Sequence, residues 1–116
     1  MSVPPPFLLP FLPAGTEPDG VTVAEADLVR SSVPTAPFEM ARFTVPAGGS
    51  SSPDRHAVTE LWVVQAGRGT LVVDGERAEI GPGSTAGFPP HAVHEAFADR
   101  GEDLAVFSFW WPAADD

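Results

Sequence analysis

A chain of 116 residues is the size of one domain and leaves no room for a second catalytic domain. Six Arg, no Lys and sixteen acidic residues give a formal charge of −10, so nucleic acid and anionic membrane surfaces are repelled, and a small molecule or a protein is the expected partner. Cys, Tyr and Lys are absent, which excludes thiol nucleophiles, tyrosyl acids, Schiff-base lysines and disulfides, and the lack of disulfides points to a reducing cytoplasm.

The chain opens on an apolar stretch, residues 1–15, with five prolines between Pro4 and Pro13 and no Arg. Neither a signal peptide nor a membrane helix is written this way. Proline fixes φ and withholds a hydrogen-bond donor, so residues 1–30 are predicted to form an extended Pro-rich arm. Its Phe7, Leu8, Leu9, Phe11 and Leu12 need a surface to dock on: the protein's own barrel or a symmetry mate, with a separate partner as the alternative.

Beyond the arm, Pro or Gly interrupts almost every window, and helix signals are nearly absent. Short runs bounded by Gly, Pro or Asp read as strands: Phe38–Val45, Glu60–Val64, Thr70–Val73, Arg77–Ile80, Ser84–Phe88, His94–Phe97 and Leu104–Trp111. Between the third and fourth lies Asp74-Gly75, a two-residue turn of the kind that accepts positive φ and closes a hairpin. Ser50-Ser51-Ser52 reads as loop, and residues 113–116 as a solvated acidic tail. Strands at this spacing without intervening helices predict an all-β domain over residues 31–112, an antiparallel sandwich or barrel.

The histidines stand at positions 56, 91 and 94. Strand side chains alternate faces, so in a regular strand Asp54, His56, Glu60, Trp62 and Val64 share one side. Half of that face is polar and half apolar, which suits a barrel interior with a metal near its mouth above an apolar floor. Imidazole with carboxylate suits one divalent Fe, Mn, Ni, Co or Zn ion, and the lack of sulfur ligands argues against a closed structural zinc site. Other chemistries do not fit: Ser84 sits one position too early in Gly83-Ser84-Thr85-Ala86-Gly87 for a nucleophile elbow, and no Gly-rich phosphate loop precedes a helix.

From Gly48 the chain runs five residues to Asp54, one to His56, three to Glu60 and six to Gly67. This resembles the first motif of the cupins, with Asp54 in place of its first His. From Gly83 it runs five residues to Pro89, one to His91, two to His94 and three to Ala98, which is similar to the second cupin motif with His91 replacing Gly and Ala98 replacing Asn. The resemblance spans residues 38–111. It implies a jelly-roll β-barrel, commonly a homodimer, with a metal held by His56, Glu60 and His94 and with Asp54 at the remaining ligand position. A carboxylate there shifts the metal preference toward harder ions and lowers the potential of a redox metal. Because both histidines must be neutral to coordinate, occupancy is expected to fall as pH drops through about 6.

Four further positions carry expectations. His91 stands after Pro89-Pro90, either at the pocket rim as a proton shuttle or on the surface. Trp62 is expected to be both core and pocket wall. Trp110 and Trp111 must face opposite ways, one lining the barrel. Met40, Arg42 and Thr44 share a face; turned inward, Arg42 would clamp a substrate carboxylate, and turned outward it is an ordinary surface cation.

The leading expectation is a mononuclear metalloenzyme acting on a small organic substrate, with Glu60 and His91 able to move protons. Oxygenation, isomerisation, dehydration and condensation all remain open to it. An Ala, Gly, Pro and Arg bias fits a high-GC bacterial gene and, by association, specialised biosynthesis. The competing expectation is a non-catalytic ligand-binding or sensor cupin, or the small partner of a larger enzyme.

Overall fold

The computed structural model describes residues 8–31 and 38–112. The strands are β1 (Gly15–Thr16), β2 (Thr22–Glu25), β3 (Glu39–Val45), β4 (Val58–Ala66), β5 (Gly69–Val73), β6 (Glu76–Ile80), β7 (Thr85–Phe88), β8 (His94–Ala98) and β9 (Leu104–Pro112). All strand pairs are antiparallel, in a six-stranded sheet ordered β1-β2-β3-β9-β4-β7 and a three-stranded sheet ordered β6-β5-β8. The two form a jelly-roll barrel. Among the described residues no helix is long and apolar enough to cross a membrane.

Period-two alternation decides what fills the barrel. Ala41 and Val45 on β3, Trp62 and Val64 on β4, and Leu104 and Val106 on β9 are buried, and Leu71, Ile80, Ala96 and Ala98 of the smaller sheet meet them. Val45 and Leu104 are 0 % exposed and Val106 is 1 %, so the floor is dry and close-packed. The β5–β6 hairpin closes on Asp74 and Gly75, whose φ values of 47° and 85° are the paired positive angles that the turn requires.

The seven strands expected from the sequence are all present. Within the stretch read as an extended arm, β1 and β2 are strands that join the larger sheet. β2 pairs with β3 from Thr22↔Thr44 to Glu25↔Ala41, and β1 adds to its far side. The β-branched run Val21-Thr22-Val23 carried that signal. Upstream, Phe11 bridges Ala26, and the Leu12 amide donates to the Glu25 carbonyl at 2.8 Å. The arm therefore lies on its own barrel from Pro10 onward. Phe7 and the acidic tail fall outside the described residues.

Candidate metal centre

β4 carries Glu60 into the barrel, where it is 8 % exposed. A carboxylate at that depth needs partners for its charge. One oxygen, Oε2, has them: it accepts from Trp62 Nε1 at 2.8 Å and from Ser108 Oγ at 2.7 Å. Oε1 is buried and accepts no hydrogen bond. It stands 3.6 Å from His94 Nε2 and 3.9 Å from His56 Nε2. A cation held between these three groups would satisfy the unpartnered oxygen and both imidazole nitrogens at once.

His94 opens β8 and is 4 % exposed. Its Nδ1 lies 3.3 Å from the Ala92 carbonyl, so Nδ1 takes the proton and Nε2 is left with its lone pair toward Glu60. The ring is held by stacking on Phe88, 4.6 Å between centroids, and by the edge of Trp62 at 5.3 Å. His56 sits before β4, half exposed, with its ring 5.5 Å from that of His94. The His91 amide donates to the His56 carbonyl at 2.6 Å and pins the segment.

The ligand atoms of His56, Glu60 and His94 lie within 4.8 Å of one another and could hold a metal ion. Donors bound at about 2.1 Å stand no more than about 4.2 Å apart, so both Glu60–imidazole distances already fit one ion. Imidazole nitrogen and carboxylate oxygen are the donor types that divalent transition metals take.

Asp54 is at the rim rather than inside. Its backbone exchanges two 2.9 Å hydrogen bonds with His94, but its side chain is 60 % exposed, with Oδ1 accepting from the Arg55 amide and Oδ2 3.4 Å from His56 Nε2. Regular strand begins only at Val58, so the even spacing from Asp54 to Glu60 does not carry one face through. The serine run expected as loop is more ordered than that. Ser51 Oγ accepts from the Ala96 amide at 2.9 Å, and Ser50 Oγ donates to Glu95 at 2.6 Å, which ties the segment to β8.

The cavity above the site has a volume of about 1050 Å³, and Trp62, Phe43 and Trp110 line it. Val64 faces inward but lies below, in the packed floor. Of the two orientations open to Arg42, the structure has the outward one: its neighbours Ala41 and Phe43 line the cavity, while its guanidinium lies 4.2 Å over the Phe11 ring. His91 is exposed at φ 70° and its side chain does not line the cavity; its contribution is the backbone bond to His56. Trp110 is the inward tryptophan of the last strand. The sequence reading missed Ser108, although a polar residue at an inward position within Phe107-Ser108-Phe109 was a signal for a buried hydrogen-bond donor.

Among solved structures, a Cupin 2 conserved barrel domain protein from Salinispora arenicola is 26 % identical, with a TM-score of 0.73 over 97 % of this chain and 90 % of that one. KdgF from Halomonas sp. is 20 % identical, with a TM-score of 0.69 over 90 % of each chain. The DMSP lyase DddQ from Ruegeria pomeroyi is 17 % identical, with a TM-score of 0.62 over 71 % of this chain and 42 % of that one. The sequence profile of the cupin domain matches residues 41–110, which hold most of β3 and β9, all of β4 to β8 and all three converging side chains. The chain belongs to the cupin domain family.

Proposed function

We propose that this cupin is a mononuclear metal-dependent enzyme acting on a small organic molecule, with His56, Glu60 and His94 holding one divalent Fe, Mn, Zn, Ni or Co ion. The observation that carries the reading is Glu60 Oε1, a buried and unpartnered carboxylate oxygen aimed at two imidazole nitrogens. When bound, such an ion supplies Lewis acidity or redox chemistry at coordination positions that protein ligands leave open. The occurrence of the fold in a protein named a DMSP lyase supports an enzymatic reading and leaves the reaction here open.

The chain's own residues set the conditions for that chemistry. Trp62 and Ser108 hold Glu60 by one oxygen and free the other. Trp62, Phe43 and Phe88 exclude water from the deep side of the site. Asp54, a carboxylate at the rim outside the converging ligand set, is placed to carry protons between cavity and solvent. The homodimer implied by the resemblance belongs to the same proposal; sedimentation should report twice the chain mass of 12.2 kDa.

Elemental analysis of protein purified without chelators tests the core claim. One transition ion per chain is expected, and His94→Ala should lose it while the circular dichroism of the barrel persists. Protein with no metal, whose melting temperature added ions do not raise, would favour a non-catalytic binding or sensor cupin.

A further inference from the structure

One wall of the cavity comes from outside the matched cupin segment. Residues 17–25, the β1–β2 turn and β2, contribute Val21 and Val23 to its apolar lining and Glu17, Asp19 and Glu25 to its charge. Asp19 is half-buried, and Glu17 and Glu25 are exposed where they line the cavity. Asp19 Oδ1 accepts from the Val21 amide at 3.0 Å, the Glu17 amide donates to the Val21 carbonyl at 2.8 Å, and Glu25 lies on β2 opposite Ala41.

Asp54 at the rim and Glu60 at depth bring the lining to five carboxylates, against one guanidinium, that of Arg55. A bound dication still leaves the wall with more negative than positive formal charge. The Arg42 clamp that would have received a substrate carboxylate points outward. Between the acids, Phe43 and Trp62 present an aromatic surface, their centroids 5.0 Å apart. The buried, unpartnered Glu60 Oε1 independently marks the same cavity as a ligand site.

We infer that the cavity selects uncharged or cationic organic molecules with an apolar body and rejects carboxylates and phosphates of the same size. The inference rests on the metal-site reading above and extends it to a substrate class. A field of one sign focused in a low-dielectric cleft repels like charge at the mouth, and salt screens the effect.

Three catechols test it, because they share a metal-binding head and carry short side chains of different charge: dopamine (cationic), 4-ethylcatechol (neutral) and 3,4-dihydroxyphenylacetate (anionic). Each is titrated into Co²⁺-loaded protein at low ionic strength, with metal retention checked by elemental analysis. Dopamine and 4-ethylcatechol should bind at least about tenfold tighter than the carboxylate. The gap should narrow to within about threefold in the variant E17Q/D19N/E25Q and in 0.5 M NaCl. A carboxylate that binds as tightly as the others, a gap the triple variant leaves intact, or a loaded protein that binds none of the three would overturn the inference. Protein that takes up no Co²⁺ instead overturns the metal-site reading, so the two failures are distinguishable.

Discussion

Glu60 divides its labour by oxygen. Oε2 is anchored by Trp62 and Ser108, and the anchoring aims Oε1 at the two imidazoles. Ser108→Ala therefore leaves every ligand in place but loosens the one carboxylate. Its metal affinity should fall by about 10- to 100-fold in a competitive chelator titration, while the fold loses only about 1–3 kcal/mol. His56 and His94 can bind a cation only through an unprotonated ring nitrogen. Acid should strip the metal reversibly, and the same titration of His94→Ala should show no such step, because its ion is already lost. Of the four ligands the sequence suggested, three converge. Asp54 does not, because regular strand begins only at Val58 and alternation cannot be counted back across residues 55–57.

At the scale of elements, glycines and apolar floor residues explain why the motif spacing is rigid. Gly67 has φ +84°, and a Cβ there would sit 2.0 Å from the Asp103 carbonyl oxygen. Gly67→Ala should cost about 3 kcal/mol or more by urea unfolding, combining backbone strain with a collision against main chain. Gly101→Ala, with nothing within 4 Å of its Cβ, should change stability by less than about 0.5 kcal/mol. Leu104→Ala, at a position with no exposure, should cost about 2–5 kcal/mol. Strand positions were legible because alternation and Gly, Pro or Asp punctuation are local. β1 and β2 were missed: two-residue β1 is too short for a pattern, and the β-branched signal at Val21-Thr22-Val23 becomes strand only by adding to an existing edge, that of β3.

At the scale of the whole molecule, the site joins β4 of one sheet to β8 of the other, so a bound ion is also a clamp between sheets. Saturation with the native ion at about 100 times its Kd should stabilise the fold by about 2.7 kcal/mol, seen as a raised melting temperature that a chelator reverses. Sequence by itself determined the all-β class and which residue types could ligate a metal, since these follow from near neighbours, while the choice of a barrel over a sandwich came from the resemblance of two motifs to the cupins. Only the tertiary structure decided that Arg42 faces out, that Asp54 stays at the rim, that Ser108 supports Glu60 and that an acidic β2 wall closes the cavity. Each of those outcomes depends on ladder register and backbone irregularity between segments far apart in the chain, and no local pattern encodes that pairing.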